Sequence, residues 1–298
     1  MFDRDRVFVG ITPTGWTNDD YPLLGDDISF GQCVSEMALA GFAGCSVGHK
    51  YPKDPEVLAE ELGRRGLKVS EPWTSLFFTV NDMRERTVEG FKQSMAFIKR
   101  MGGSHVVVAE LGHAVHQQPV PPITNKPVFD EAQWAALVAG LNELGRLAAA
   151  ADMVMCYHHH MGTGVMTRAE VDRLMNEVDP EVVHLLLDTG HLYWAGDDPL
   201  ALARAYADRI RHVHLKDIRH DVMEACNGRH LSFIESIMEG VFTVPGDGVI
   251  DFKPIFETLA DANYAGWLMV EAEQDAKKAN PLDYARMARR YLRETAGI

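Results

Sequence analysis

The segment Cys156-Tyr157-His158-His159-His160-Met161-Gly162-Thr163 places three consecutive histidines between an apolar run and a glycine-containing turn. The apolar run predicts a buried strand over residues 153–158, and the turn follows where that strand ends. A strand that ends in imidazoles delivers ligand nitrogens to one edge of a sheet. The segment therefore raises the question of which other strands deliver side chains to the same edge.

Outward from this segment, apolar runs alternate with amphipathic stretches along the chain. Apolar runs predict strands at residues 7–11, 42–47, 67–70, 105–110, 153–158, 184–188, 210–215 and 267–271. Helical spacing and capping signals predict helices at residues 30–40, 54–62, 82–101, 198–207, 231–238 and 252–259, and helices that begin near 130, 167 and 281.

Strict alternation of strand and helix implies a parallel sheet with right-handed crossovers. Eight such units close most simply into an α/β (β/α)₈ TIM barrel, here a single domain over residues 1–298. An open, doubly wound sheet is the alternative, but no GxGxxG segment follows the first strand.

The composition limits the partners. Lys and Arg total 29 against 43 Asp and Glu, which gives a formal net charge of −14. This charge argues against nucleic acid and against an anionic membrane surface, because both attract basic proteins. No apolar segment approaches the ~20 residues of a membrane span. Without a signal-peptide pattern, the expected location is cytoplasmic. The four cysteines form no CxxC pair, so neither a zinc ribbon nor a redox motif is predicted.

Titratable side chains stand at the ends of the later predicted strands. They are Glu110, His158, His160, Asp188, His191, His212, His214, Lys216, Asp217, Glu271 and Glu273. The carboxyl ends of barrel strands meet at one rim, where barrel active sites lie. Mixed carboxylate and imidazole ligands suit Mn²⁺, Co²⁺, Fe²⁺ or Zn²⁺. Because Asp188, His214 and Glu271 close three successive strands, the sequence predicts a divalent-metal site built from them.

Each of these side chains taken alone also fits a solvated loop position. That alternative stays open for Glu110, His212 and Glu273, and Lys216 fits a salt bridge to the acidic rim equally well. If the fifth strand persists, His158 and His160 share one face and His159 points away from the rim as a structural residue.

Several segments together resemble the xylose isomerase-like sugar barrels, and more closely the inosose dehydratases, over nearly the whole chain. The segments are Trp16-Thr17-Asn18-Asp19, Gly48-His49-Lys50-Tyr51-Pro52, residues 157–163, Leu187-Asp188-Thr189-Gly190-His191, His212-Val213-His214-Leu215-Lys216-Asp217, residues 242–248 and Val270-Glu271-Ala272-Glu273-Gln274-Asp275. The resemblance implies a metal-dependent loss of water from 2-keto-myo-inositol, with Mn²⁺ or Co²⁺ as the metal and Fe²⁺ or Zn²⁺ as alternatives.

By position, the metal ligands that the resemblance implies fall on His158, Asp188, His214 and Glu271. His158 departs from the wider superfamily, which has glutamate there, and His160 is a rival for the same place. A second departure lies at residues 45–47, where Cys-Ser-Val stands in place of an expected glutamate. This departure leaves the substrate contacts of the second strand open.

The resemblance also gives roles to the remaining residues. Candidates for the base and the acid are His160, His191, Lys216 and Glu110. Candidate contacts to the polyol are Trp16, Asn18, His49, Lys50 and Glu273, although Trp16 fits loop packing equally well. The partner implied is a small keto-polyol, and association into a homo-oligomer is common among such barrels.

Three other functions compete with dehydration. A sugar isomerase or 3-epimerase on the same barrel shares the enolate chemistry but returns the proton. A DNA-repair endonuclease of the same fold needs a basic groove, which the net charge of −14 disfavours. A non-catalytic ligand-binding barrel needs no metal at all.

Overall fold

The computed structural model describes residues 2–298. The strands are β1 (Val7–Ile11), β2 (Gly44–Cys45), β3 (Lys68–Val69), β4 (Trp73–Leu76), β5 (His105–Glu110), β6 (Val154–His158), β7 (His184–Asp188), β8 (Ile210–Leu215), β9 (Asp217–Ile218), β10 (Phe242–Thr243) and β11 (Gly266–Val270). The helices are α1 (Phe30–Ala40), α2 (Pro55–Gly63), α3 (Arg84–Arg100), α4 (Pro122–Asn125), α5 (Glu131–Ala149), α6 (Arg168–Glu177), α7 (Thr189–Trp194), α8 (Pro199–Ala205), α9 (His220–Gly228), α10 (Phe233–Glu239), α11 (Phe252–Asp261) and α12 (Pro281–Ala296). A 3₁₀ turn, Pro13–Gly15, follows β1.

Nine strands form one parallel sheet in the order β3-β2-β1-β11-β8-β7-β6-β5-β4. The two strands at the ends of this order, β3 and β4, are consecutive in the chain and are separated only by residues 70–72. They are therefore two halves of one barrel strand, and the sheet closes on itself through the chain. The predicted TIM barrel is confirmed.

The split in the third barrel strand was not predicted. The expected strand over residues 67–70 is only Lys68–Val69, and pairing resumes at Trp73. Pro72 lies in the gap, and proline has no N–H to donate to a sheet. The gap places Glu71 at the rim between the two halves.

Alternation along the strands divides the side chains into two faces. Val107, Cys156 and Leu186 form a separate apolar cluster. Cys156 and Leu186 lie two residues before His158 and Asp188, so this inner cluster is the layer beneath those two side chains. Val106 and Val108 belong instead to the large cluster that the helices cover. The barrel interior therefore supports the rim residues from below.

None of the helices within residues 2–298 is long and apolar enough to cross a membrane.

Candidate active site

The segment Asp188-Thr189-Gly190-His191 shows how the chain aims a carboxylate into the barrel mouth. Asp188 ends β7 and caps α7, because its Oδ1 accepts the backbone N–H of His191 at 2.8 Å. Its other oxygen, Oδ2, is buried and accepts no hydrogen bond from residues 2–298. Gly190 lets the Lys216 side chain pack closely, since a Cβ at Gly190 would lie 2.5 Å from Lys216 Cγ. The segment thus fixes Asp188 and Lys216 side by side.

Three further side chains meet Asp188 at the barrel mouth, from β6, from β8 and from the residue after β11. Nε2 of His158 lies 3.2 Å from Nδ1 of His214. Oδ2 of Asp188 lies 3.6 Å from the first nitrogen and 3.7 Å from the second. Oε2 of Glu271 contacts Nδ1 of His214. One atom from each of the four residues lies within 4.8 Å of the other three, a spread that could surround one metal ion.

The donor atoms in this group fit a cation. Oδ2 of Asp188 and Oε2 of Glu271 are buried acceptors that receive no well-directed hydrogen bond from the described residues. Burial lowers the pKa of His214, but the carboxylates of Glu271 and Glu71 outweigh it and raise that pKa to about 10. The surrounding carboxylates therefore favour positive charge at the His214 ring. Two imidazoles and two carboxylates form a donor set that suits a divalent transition metal.

Lys216 lies beside this group and is fully buried. Its Nζ donates to Oε2 of Glu273 at 2.9 Å and to Nε2 of His191 at 2.8 Å. Burial alone lowers the pKa of Lys216, but Glu271, Glu273 and Asp188 hold it above its ordinary value. Burial also keeps the pKa of His191 well below its usual value, so its ring is neutral and accepts from the ammonium. Lys216 is therefore a cation that balances the carboxylates.

His160 takes its orientation from a turn. Strand β6 ends at His158, so the expected alternation of His158 and His160 along one strand does not apply. Nδ1 of His160 lies 2.9 Å from the carbonyl oxygen of Met161. A carbonyl only accepts, so Nδ1 carries the proton in the neutral ring and Nε2 keeps its lone pair. Burial lowers the pKa of His160 well below its usual value. His160 is thus a neutral imidazole with one free acceptor nitrogen.

His159 faces a different partner from its neighbours. Its ring is fully buried, and Nε2 accepts the backbone N–H of Asp188 at 3.3 Å. The contact joins the end of β6 to the end of β7.

The metal-ligand group borders a cavity of about 280 Å³. The polar wall includes Asn18, Asp20, Glu71, His116, His160, His214, Glu271 and Glu273, and the apolar wall includes Trp73 and Leu111. The volume lies close to the lower limit of ~300 Å³ for small-molecule sites, which suits a ligand with one six-membered ring. Asn18 contributes a free donor, because its buried Nδ2 has no partner among the described residues.

Glu110 does not line this cavity. It shares the outer face of β5 with Val106 and Val108, which pack against the helices. Its carboxylate accepts the backbone N–H groups of Phe78, at 2.9 Å, and Gly112, at 3.0 Å. The catalytic role considered for Glu110 is therefore corrected to a structural one, since alternation points its side chain away from the barrel mouth.

Two of the candidate polyol contacts hold loops instead. Nζ of Lys50 donates to the carbonyl oxygens of residues 25, 26 and 28 at 2.7 to 2.8 Å. Nε1 of Trp16 donates to Glu36 at 2.6 Å, and the indole is buried. Both donors are occupied by the protein, which favours the loop-packing alternative for Trp16 and a loop-holding role for Lys50. His49 does not line the cavity, but its Nδ1 lies 2.8 Å from Oδ1 of Asp19, which does.

Among the cavity-wall residues that were not selected from the sequence, four have side chains suited to contact a substrate. Glu71 and Trp73 flank Pro72 in the split strand, and Asp20 and His116 belong to the loops after β1 and β5. Glu71 carried a usable signal, since it is a carboxylate directly after a predicted strand. Asp20 and His116 carried none, because their approach depends on how two long loops fold. Gln117 joins those loops by donating to Asp20 at 2.7 Å.

The barrel and its rim group define a known class of protein. The chain belongs to the xylose isomerase-like TIM barrel family, whose model matches residues 34–295. Within that family it belongs to the inosose dehydratases. It is 52% identical over 299 residues to inosose dehydratase from Geobacillus thermodenitrificans, and the match covers 100% of each chain. The resemblance noted from the sequence is confirmed.

Solved structures of lower identity share the fold. L-ribulose 3-epimerase matches with a TM-score of 0.71 at 20% identity, over 98% of this chain and 95% of its own. The IOLI protein with a binding zinc atom matches with a TM-score of 0.71 at 17% identity, over 97% of this chain and 98% of its own. At these identities the likeness shows the fold alone.

Proposed function

We propose that this chain is a metal-dependent hydro-lyase that removes water from 2-keto-myo-inositol (scyllo-inosose). The main observation that supports this proposal is that His158, Asp188, His214 and Glu271 lie together beside a ring-sized cavity. Full-length identity of 52% to an inosose dehydratase supports the same reaction. The four residues would hold one divalent ion, for which two imidazoles and two carboxylates favour Mn²⁺ or Co²⁺, with Fe²⁺ or Zn²⁺ as alternatives.

A divalent ion supplies Lewis acidity that stabilises negative charge developing on a ketone oxygen. The protein has to supply the proton transfers, because dehydration removes a proton next to the carbonyl and protonates a departing hydroxyl. His160 is the base in this proposal. It lines the cavity, and its Nδ1–H is engaged by Met161, which leaves Nε2 to accept the proton.

Glu273 is the acid in this proposal and protonates the departing hydroxyl. Burial raises its pKa to about 7, so it can carry that proton near neutral pH. Its carboxylate lies at the wall and is held by Lys216 at 2.9 Å. His191 acts behind this pair, because it contacts Lys216 and is fully buried. Lys216 itself stays charged and fixes the position of Glu273.

The remaining wall suits a hydroxylated ring. Trp73 is 42% exposed, and Ser75 fixes its indole by accepting from Nε1 at 3.1 Å. A ring whose hydroxyls are all equatorial presents an apolar face of axial C–H bonds, which packs well on an indole. Asn18 and Asp20 offer a donor and an acceptor to hydroxyls at the ring edge.

The test is to incubate Mn²⁺-loaded or Co²⁺-loaded protein with scyllo-inosose and to follow the ultraviolet absorbance of the enolised dione product. We expect absorbance to rise with time and with protein concentration. No absorbance, together with a changed stereochemistry of the substrate by NMR, would support an isomerase or 3-epimerase instead. The structural likeness to L-ribulose 3-epimerase does not by itself favour that alternative, since it shows the fold alone.

A further inference from the structure

Glu71 has an unusual position in the barrel. It stands in the gap between β3 and β4 and lines the cavity, yet its side chain is almost completely buried. Neither carboxylate oxygen accepts a well-directed hydrogen bond from residues 2–298. Leaving a buried carboxylate without donors is costly, so nearby N–H groups are expected to face it.

Two imidazoles face the two oxygens. Oε1 of Glu71 lies 3.5 Å from Nε2 of His214, and Oε2 lies 3.4 Å from Nε2 of His212. Both histidines are buried on β8, two residues apart, and so share one face of that strand. Glu71 therefore bridges the two rings from the opposite wall of the barrel, since β3 and β4 each lie four strands from β8.

The side of the His214 ring that Glu71 contacts is the side away from the metal-ligand group. Nδ1 of His214 is the atom that meets His158, Asp188 and Glu271. A neutral imidazole has one N–H and one lone pair, so a ligand at Nδ1 requires the proton at Nε2. A carboxylate only accepts, and Oε1 of Glu71 selects this tautomer. Carboxylates that hold metal-binding imidazoles in this way strengthen metal binding.

We infer that Glu71 is a positioning residue that holds His214 with its Nδ1 lone pair toward the metal, with His212 as the second donor to the same carboxylate. The inference rests on the metal role proposed above. Glu71 is not one of the four residues that would hold the ion. Its effect reaches the reaction through the affinity for the ion.

Glu71→Gln is therefore a disruptive change despite the similar size of the side chain. The amide oxygen can accept from one imidazole, but the amide NH₂ then faces the N–H of the other. One histidine must rotate or change tautomer. We expect the affinity for Mn²⁺ to fall by ~10–100-fold, the range usual for loss of an outer partner of a metal-binding histidine.

The matched control is Glu110→Gln, which also changes a buried carboxylate close to the rim. Glu110 contacts the backbone of residues 78, 79 and 112 and does not contact His214. We expect that variant to unfold at lower temperature and to keep the wild-type affinity for Mn²⁺. The comparison separates metal positioning from the general cost of altering a buried carboxylate.

The experiment measures Mn²⁺ affinity and stoichiometry by chelator competition for the wild type and both variants, and the His214 tautomer by histidine-selective NMR of the Zn²⁺-loaded protein. Support requires one ion per chain, weaker binding only in Glu71→Gln, and protonated Nε2 in wild-type His214. Unchanged affinity with a loss of kcat would overturn the inference, because Glu71 would then act on substrate. The inference would also be overturned if the wild type bound two ions per chain and Glu71→Gln bound one, because Glu71 would then be a ligand of the second ion. If the wild type binds no ion, the proposed metal role itself fails.

Discussion

Nε2 of His158 and Nδ1 of His214 lie 3.2 Å apart although their strands, β6 and β8, are separated by β7. Two neutral rings that turn lone pairs toward the same gap repel each other. Oδ2 of Asp188 lies within 3.7 Å of both nitrogens and adds negative charge. The arrangement is favourable when a positive charge, either a proton or a metal ion, lies between these atoms.

The first prediction concerns the carboxylates. Asp188→Asn and Glu271→Gln each remove a charge from the group but keep the shape of the side chain. We expect Mn²⁺ affinity to fall more than ~100-fold, beyond the loss typical of an outer partner, and turnover to vanish. The amide oxygen that Asp188→Asn introduces can still cap α7, so the fold should survive. Metal content after gel filtration and the circular dichroism melting curve check both points. Retained turnover in either variant would remove these residues from the ligand set.

The second prediction separates the two rival histidines. His158→Gln removes a nitrogen of the metal-ligand group, whereas His160→Gln removes the proposed base. We expect His158→Gln to lose Mn²⁺ binding. His160→Gln should bind Mn²⁺ normally and lose kcat by ~10²–10⁴-fold, the usual contribution of a positioned base. Each variant is the control for the other, since both change imidazoles of residues 158–160. The reverse result would make His160 the ligand.

Trp73 supports a prediction about substrate binding. Trp73→Ala removes the apolar platform, and Trp73→Phe keeps an aromatic face. Since an aromatic contact contributes ~0.5–1.5 kcal/mol, the alanine variant should raise KM for scyllo-inosose by ~2–10-fold with little change in kcat. The phenylalanine variant should stay close to the wild type. Equal KM values in all three proteins would show that the indole does not contact the ring.

The strand ends explain both the success and the failure of prediction from sequence. Asp188, His214 and Glu271 were found because each closes an apolar strand. Glu110 closes an equally apolar strand, but it lies on the outer face. Periodicity gives two alternating faces and does not say which of them is inside the barrel. That choice depends on how the strand packs against its neighbours.

Other site residues depend on contacts far apart in the chain. Lys50 was a candidate substrate contact, but three carbonyls of the loop at residues 25–28 occupy its ammonium. The apolar pattern predicts that the third strand ends at residue 70. In the structure the strand is only interrupted there, and Glu71 lies in the interruption. Residues 45–47 lack the expected glutamate, and the adjacent barrel strand brings Glu71 to the cavity wall. The one-domain organisation stays a prediction.

Two partly buried histidines, His105 and His184, predict how stability depends on pH. Burial, assisted by His212, lowers the pKa of His105 from 6.5 to about 4. Between these two values the unfolded chain binds a proton that the folded chain excludes. Stability is therefore present above pH 6.5 and is lost as the pH falls toward 4, by up to ~1.4 kcal/mol per pH unit for this residue.

The variant His105→Gln tests this dependence through urea unfolding across the same pH range. We expect a smaller loss of the free energy of unfolding on acidification. Part of the loss should remain, because burial also lowers the pKa of His184 to about 4. The double variant at both positions should flatten the profile further. Identical slopes in wild type and both variants would contradict the lowered pKa values of these two histidines.

The central claim is that four rim residues hold an ion on which dehydration depends. The most direct measurement strips the protein with a chelator, removes the chelator, and follows the ultraviolet absorbance of the enolised dione from scyllo-inosose as Mn²⁺ is added back. We predict that the stripped wild type forms no product. Its activity should return in proportion to the number of ions bound, up to one ion per chain. The Asp188→Asn variant should not recover activity. Full activity of the stripped protein, or recovery by Asp188→Asn at the same Mn²⁺ concentration, would contradict the account.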